Sequence, residues 1–371
     1  MLLPLVTGCL DPYQPPEITD TVRIMVIDGF MNATDQSATV KLSYATSLSS
    51  TEEPAAALNA SVHIEDDGGG DYILAGDGTG FYAAHNMSID VARKYRLRVN
   101  TGPGSEYLSE YVTITTTPPI DSVTWAAGNN GITIAVNTHD AENHSKYYRW
   151  NYVEIWEYNS SFYSTYKMID GAAFERTPDD QIFTCWGTEY STEVLIGSSQ
   201  RLSADVIRSL PLTFIKGNSV KLSRRFSILV EQQSLTPEAF DFWQQLKNTT
   251  ESLGGLFDPL PAQLLSNIKG TTNAGEPVLG YFSGGQVSSD RIFIEFHELP
   301  REILALSPKS ACDEEDVKSI PIADIPSTPN STLLIYPIYV SGVGLVGYTT
   351  ALSRCIDCQL QGGSTTKPDF W

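Results

Sequence analysis

Short runs of alternating hydrophobic and polar residues, separated by glycine- and aspartate-rich turns, fill the chain from Thr21 to about Pro118. The runs are rich in β-branched and aromatic residues; they are VRIMVIDGFM, ATVKLSYATSL, ASVHIED, DYILAG, GFYAAH, KYRLRVN and YVTITTT. About seven short strands in roughly 100 residues are typical of an immunoglobulin-like or transthyretin-like β-sandwich. The pattern therefore predicts such a sandwich over residues 21–118, with Pro118-Pro119 at its boundary.

The remainder of the chain, residues 119–371, is also predicted to be mainly β. Its predicted strands are ITIAVNTHD, YYRWNYVEIWEY, TEVLIGS, LPLTFI, KLSRRFSILVEQQSL, VLGYFSG, DRIFIEF and LLIYPIYV. A chain of 371 residues is longer than one ordinary domain. We therefore expect a second β-sandwich-type domain over residues 119–371, with an inserted helix and a disulfide-bearing C-terminal tail.

One prominent α-helix is predicted at about residues 236–253. Thr236 provides the N-cap, Pro237 the first helical position and Glu238 a negative charge at the positive end of the helix dipole, while Gly254 follows the last turn. One face carries apolar residues at helical spacing, namely Ala239, Phe240, Trp243 and Leu246. We interpret this face as hydrophobic core rather than as a ligand site.

The N-terminal stretch Val6-Thr7-Gly8-Cys9 resembles the lipobox of bacterial lipoproteins, in which the cysteine thiol is acylated and the cysteine becomes the mature N-terminus. We predict a signal peptide remnant at residues 1–8, lipidation of Cys9 and an extended tether at residues 9–20. Only eight residues precede Cys9 and none is basic, so the usual positively charged segment is missing. The alternative is a buried or disulfide-bonded cysteine.

The overall charge argues against nucleic acid as a partner. The chain has 24 Lys and Arg residues against 44 Asp and Glu residues, a net charge of −20 that repels phosphate backbones. No apolar run approaches the roughly 20 residues that cross a bilayer. We therefore expect membrane attachment only through the N-terminus.

The other four cysteines are disulfide candidates. In an exported protein, an even set consisting of Cys185, Cys312, Cys355 and Cys358 suggests two disulfides, although four cysteines allow three pairings. We favour long-range pairing of Cys355 and Cys358 with Cys185 and Cys312. A redox CxxC motif or half of a zinc site is the alternative, but the predicted β-rich context and the lack of a second ligand pair disfavour both.

No metal site, cofactor or catalytic residue is predicted. The group around His139 and His144 lacks a third spaced ligand, and the acidic turns around Asp66 and Asp77 lack EF-hand spacing, so only weak surface calcium binding stays open. The motifs GxSxG, HExxH and the P-loop are all absent. We therefore expect a non-enzymatic protein. A glycan or peptide hydrolase with two distant carboxylates is the less favoured alternative.

Aromatic residues concentrate between Tyr147 and Tyr166. Strand alternation assigns Trp150 and Trp156 to the core, whereas the run YNSSFYSTYK mixes tyrosine with serine and asparagine as adaptable recognition loops do. The candidates for ligand or partner binding are Phe162, Tyr163 and Tyr166.

Taken with the lipobox, several longer segments closely resemble one family of Bacteroidota outer-membrane lipoproteins, domain of unknown function 4249. The segments are VIDGFMN, YYRWNYVEIWEY, CWGTEYS, VLIGSS, RFSILVEQQSLTPEAFDFWQQLKNTTESLGGLFDPLPAQLLSNI, EPVLGYFS and CIDCQLQGGSTTKPDFW. The resemblance implies a cell-envelope lipoprotein, often encoded beside TonB-dependent outer-membrane transporters, and no catalytic residues. Family members often have a cysteine after the GNI segment, where this chain has Ser266-Asn267-Ile268-Lys269-Gly270.

The expected function is that of a lipid-anchored, non-enzymatic accessory or substrate-binding subunit of a TonB-dependent β-barrel transporter. The expected location is the outer membrane, facing the cell surface by analogy with lipoproteins that cap transporters, with the periplasmic face left open. A structural or adhesive envelope protein is the main alternative, because β-sandwich folds host both roles.

Overall fold

The computed structural model describes residues 24–45, 54–251, 266–272, 276–308, 310 and 312–371, and the fold is mainly β. The first strands are β1 (Met25–Asn32), β2 (Ser37–Tyr44), β3 (Ser61–Asp66), β4 (Asp71–Gly76), β5 (Phe81–Ala84), β6 (Lys94–Asn100), β7 (Glu106–Ser109) and β8 (Val112–Thr115). The next are β9 (Ile120–Gly128), β10 (Gly131–Asp140), β11 (Tyr147–Asn159), β12 (Tyr166–Ile169), β13 (Ala172–Glu175), β14 (Thr184–Tyr190), β15 (Leu195–Ser198), β16 (Asp205–Lys216) and β17 (Arg225–Ser234). The last are β18 (Ile268–Gly270), β19 (Val278–Gly285), β20 (Val287–Glu295), β21 (Lys318–Pro321), β22 (Thr332–Val340) and β23 (Gly344–Leu352). The α-helices are α1 (Pro237–Glu251), α2 (Arg301–Leu304) and α3 (Ser353–Ile356).

The first eight strands build one β unit around its own core. Its strand order is β18-β7-β6-β3-β4-β5-β2-β1-β19-β8, and β8 also pairs with β6, so the sheet closes on itself. Alternation sends Met25, Ile27 and Met31 of β1 inward, where none of them has accessible surface. The outward positions of the same strand stay available for contacts on the other side of the sheet.

Two strands of this first unit come from much later in the chain. β19 pairs in parallel with β1, with Gly280 opposite Ile27, and β18 pairs with β7. Strands β18 and β19 therefore complete the first sheet, and the chain continues into the second sandwich at β20. The predicted domain boundary at residue 118 falls between β8 and β9. The predicted division into two contiguous segments, however, does not account for β18 and β19, which belong to the first unit.

The second unit is a sandwich of two antiparallel sheets. One sheet has the order β16-β10-β9, and the other has β14-β11-β17-β20 with β15 also paired to β11. Ile132 and Ile134 of β10 face Trp150 of β11 and Phe226 of β17, and all four are fully buried in one core. Such face-to-face packing of two antiparallel sheets is the immunoglobulin-like architecture. The predicted class, mainly β with immunoglobulin-like sandwiches and one prominent helix, is confirmed.

The C-terminal part is a smaller β layer fastened by disulfides. It comprises the sheet β21-β23-β22 and the hairpin β12-β13, which pack together around Ile325, Leu334 and Tyr348. Cys185 of β14 is bonded to Cys358, and Cys312 to Cys355 of α3. The expectation of two long-range disulfides is confirmed, and in both of them a cysteine of the CxxC pair joins a distant partner.

Helix α1 lies where the two β units meet. The Thr236 hydroxyl accepts a hydrogen bond from the Ala239 N–H at 3.2 Å, so Thr236 caps the helix N-terminus as predicted. The Phe240 ring lies 4.8 Å from the Tyr147 ring of β11, and the Phe242 ring lies 5.2 Å from the Tyr281 ring of β19. The helix thus packs against a strand of each unit and helps to hold the two in a fixed arrangement.

Candidate functional site

A polar cleft separates the first β unit from the second sandwich; we call it the junction cleft. It consists of two adjoining cavities of about 350 and 690 Å³, both lined by Asp28, Arg149 and Asn151. Lys41, Phe81 and Glu231 also line the first cavity, and Glu193, Trp243 and Leu246 also line the second. These volumes fall within the range of about 300–1,000 Å³ that is usual for small-molecule sites.

Strand alternation brings the charged residues into the cleft. In β1, Ile27 points into the core of the first unit, so its neighbour Asp28 points out of it. In β11, Tyr148 and Trp150 point into the core of the second sandwich, so Arg149 between them points out as well. The two outer faces meet at the junction, which places Asp28 and Arg149 in one cleft.

Arg149 is held in place by an aromatic ring rather than by a carboxylate. Its guanidinium carbon lies 3.6 Å from the centroid of the Trp243 ring, a close cation–π arrangement. The nitrogens Arg149 Nε and Trp243 Nε1 are both buried and have no hydrogen-bond acceptor among the described residues. No carboxylate of those residues lies within 4.0 Å of the Arg149 guanidinium. Buried N–H donors without an acceptor are rare in proteins, and they are often found at functional sites.

The carboxylates of Asp28 and Glu231 are partly desolvated in the cleft. Asp28 is exposed by its accessible surface, yet the protein around the concave cleft restricts its hydration, and this desolvation raises its pKa. The charges of Arg149 and Lys41 oppose the shift but do not cancel it. Burial also raises the pKa of Glu231, and the nearby negative charge of Asp35 adds to the effect. The same desolvation lowers the pKa of Arg149, whose guanidinium still stays protonated at neutral pH.

Hydrogen bonds at the junction of the two units hold Val287, which lines the first cavity, and its neighbour Gln286. The Thr34 hydroxyl donates to the Val287 carbonyl at 3.1 Å and accepts from the Val287 N–H at 2.9 Å. The Thr117 hydroxyl donates to the Gln286 carbonyl at 2.6 Å and accepts from the Ser234 N–H at 2.9 Å. A cleft with such walls is largely preformed, which reduces the entropy lost when a ligand binds.

The three aromatic candidates from the sequence do not line the junction cleft. Phe162 packs against the cluster of Cys312 and Cys355, and Tyr166 packs on Tyr348 with ring centroids 5.1 Å apart. Tyr163 remains 41% exposed, with its edge against Phe183. Two of the three therefore contribute to hydrophobic clusters of the C-terminal part, and only Tyr163 presents its ring to solvent.

Cys9, the signal peptide remnant and the tether at residues 9–20 lie outside the described residues. The one His, Cys, Asp and Glu cluster of metal-binding geometry in the described ranges is Cys312, Asp316 and Cys355, but its two sulfurs form a disulfide. In the acidic turns, Asp66 accepts hydrogen bonds from the Gly68 and Gly70 N–H groups and from Arg93.

A charged residue inside each of two otherwise apolar strands is a sequence signal for the cleft. Asp28 interrupts the apolar strand MVIDGFMN, and Arg149 interrupts the aromatic strand YYRWNY. A charge inside such a strand marks a position that faces something other than the strand's own core. The helix face predicted as core is indeed packed, with Ala239 and Trp243 buried, yet Trp243 and Leu246 also line the cleft.

Comparisons with known proteins match most of the chain to one family. The family described as "Domain of unknown function (DUF4249)" matches residues 11–291. Among solved structures, a two-domain fibronectin type III segment of chicken tenascin matches with 10% identity and a TM-score of 0.16, covering 57% of this chain and 89% of that one. None of the curated proteins matches. In the part of the chain that the structure describes, no helix has the length and apolar character needed to cross a membrane.

Proposed function

The chain belongs to the DUF4249 family, and from that premise we propose that it is a lipid-anchored, non-enzymatic binding protein of the bacterial outer membrane. In this proposal Cys9 carries the lipid, the residues after it form the tether, and the folded body binds a ligand for a TonB-dependent β-barrel transporter. The body faces the cell surface.

The junction cleft is the observation that carries the proposal. It is concave and largely preformed, it has room for a small molecule, and it combines Arg149, Asp28 and Glu231 with the aromatic rings of Phe81 and Trp243. The buried Nε of Arg149 has no acceptor among the described residues, and such a group costs free energy, so a fold retains it mainly where it binds something. A purely structural envelope protein has no need of such a site.

Purification of the tagged protein from its native outer membrane in mild detergent tests the proposal. Mass spectrometry should find a stoichiometric β-barrel protein in the same complex. A Cys9→Ala variant is the matched control, because it keeps the folded body and removes the lipidated thiol; it should leave the membrane fraction and lose the barrel. A lipoprotein that purifies alone would refute the transporter role.

A hydrolase is the second candidate, because Asp28 and Glu231 line one cavity and burial raises the pKa of both. A general acid needs a carboxyl group that is protonated near neutral pH. We favour binding because Lys41 and Arg149 share the cleft and their charges stabilise the ionised form of Asp28.

Incubation with oligosaccharides and peptides, followed by product analysis, separates these two functions. We expect no turnover by the native protein. Product formation that disappears in both Asp28→Asn and Glu231→Gln variants would instead establish a hydrolase.

A further inference from the structure

We infer that the junction cleft binds a short zwitterionic peptide, with Arg149 as the site for its carboxylate and Asp28 as the site for its ammonium group. This inference rests on the proposed binding function and specifies the chemical class of the ligand.

Arg149 provides the first argument. Its planar fork suits a carboxylate, and an arginine without a close acid partner is available for one. The stack on Trp243 at 3.6 Å fixes the plane of the guanidinium before any ligand arrives. The N–H donors Arg149 Nε and Trp243 Nε1 lack acceptors among the described residues, so the environment of this pair is short of acceptor oxygens. A ligand carboxylate supplies such oxygens on the side of the guanidinium that lines the cavities, because Nε itself has almost no accessible surface.

Asp28 provides the second argument. It lines the same two cavities as Arg149, yet the two side chains do not form an ion pair. Opposite charges that line one cavity without pairing complement a molecule that carries both charges. A ligand with only a carboxylate would satisfy Arg149, but it would displace water from Asp28 without offering that carboxylate a partner.

The remaining lining favours a peptide over a simple amino acid. Asn151 and Gln233 carry amide groups that both donate and accept hydrogen bonds, which matches the alternating N–H and C=O groups of a peptide backbone. The combined cavities are larger than one amino acid requires. Phe30 and Phe81 supply apolar surface for side chains.

Isothermal titration calorimetry of the full chain with three matched probes tests the inference. The probes are trialanine, N-acetyl-trialanine, which lacks the ammonium group, and trialanine amide, which lacks the carboxylate. We expect trialanine to bind, and each derivative to bind about tenfold or more weakly, since each loses one charge-assisted interaction.

Two variants assign the charges to residues. In Arg149→Lys the advantage of trialanine over its amide should fall, because the bidentate fork is lost. In Asp28→Asn the advantage over the acetylated form should disappear while the preference for a carboxylate stays. Arg208→Lys, at an exposed position of β16 outside the cleft, is the matched control and should bind all three probes as the native protein does. Near-ultraviolet circular dichroism verifies that each variant is folded.

Equal affinity for trialanine and its amide, or an unchanged preference in Arg149→Lys, would overturn the inference and leave the cleft as a site for another class of ligand, such as an uncharged oligosaccharide. Absence of binding by all three probes would overturn it as well. The proposed function is judged separately by purification of the membrane complex, which requires no added ligand.

Discussion

Cys185 and Cys358 are bonded across 173 residues, and the bond attaches the end of the chain to β14 at the edge of the second sandwich. The sulfur atoms are fully buried together with Tyr158, whose hydroxyl donates a hydrogen bond to the Cys358 carbonyl at 2.9 Å. This bond therefore connects the C-terminal part to the second sandwich through a small buried cluster of its own.

Removal of that bond by a Cys185→Ser/Cys358→Ser double substitution should lower the free energy of unfolding by about 2–5 kcal/mol, since the unfolded chain gains conformational freedom when it lacks the cross-link. Urea unfolding followed by circular dichroism measures the loss. The control pair is Cys312→Ser/Cys355→Ser, which opens a loop of only 43 residues. Its cost should be smaller by about 1 kcal/mol, because loop-closure entropy grows with the logarithm of loop length. A larger loss in the control pair would contradict this ranking.

Lys221 neutralises the carboxylate of Glu154, which is 2% exposed, and also contacts Glu189 at 2.5 Å. A Lys221→Met substitution leaves Glu154 buried without a counter-charge, so we expect a loss of about 3–5 kcal/mol at pH 8. Burial already raises the pKa of Glu154, and loss of the lysine raises it further. The unfolded chain then ionises at lower pH than the folded one, so the stability of the variant should fall as pH rises and recover towards pH 5.

Urea titrations of the Lys221→Met variant at pH 5 and pH 8 measure this difference. Lys269→Met is the matched control, because Lys269 and its partner Glu110 are both largely exposed, and its loss should stay below about 1 kcal/mol at either pH. Adding Glu154→Leu to Lys221→Met should restore much of the stability. A loss that does not change between the two pH values would show that packing, rather than charge, causes it.

The sequence was sufficient to predict the structural elements that depend on residues close together in the chain. Thr236, Pro237 and the apolar spacing after them are sufficient to predict α1, and turns between alternating runs are sufficient to predict most strands. The pairing of β19 with β1 leaves no local trace, because strand partners are chosen by the packing of the whole sheet. The cleft escaped prediction for the same reason: Asp28 and Arg149 meet only because two outer sheet faces come together.

Gly280 is the position where the returning segment is most constrained. Its φ of +122° suits glycine, and a Cβ atom there would lie 1.8 Å from the Ile27 carbonyl oxygen in the partner strand β1. Gly280→Ala should therefore separate β19 from β1 and cost at least about 3 kcal/mol, measured by urea unfolding. Gly342→Ala is the control: it has a φ of +80° with no atom within 4 Å, so only backbone strain of about 1–2 kcal/mol is expected. Equal losses in the two variants would argue against the close contact with β1.

The ionised Asp28 that we propose to bind a ligand ammonium group should also lower the stability of the folded protein near neutral pH. Burial raises its pKa, so between its ordinary pKa and the raised value the unfolded chain has already lost the proton that the folded protein keeps. Ionisation of Asp28 therefore lowers stability as pH rises from about 4, despite the attraction of Lys41 and Arg149. Glu231 and Glu193 also line the cleft but do not contribute to this shift. Asp28→Asn removes this titration and should raise Tm at pH 7 while leaving it nearly unchanged at pH 4, as differential scanning calorimetry can measure. A lower Tm at pH 7 would mean that the two cations outweigh desolvation. The Asp28→Asn variant should thus be more stable and should no longer prefer a ligand with an ammonium group. Such a trade-off between stability and function is expected of a binding residue.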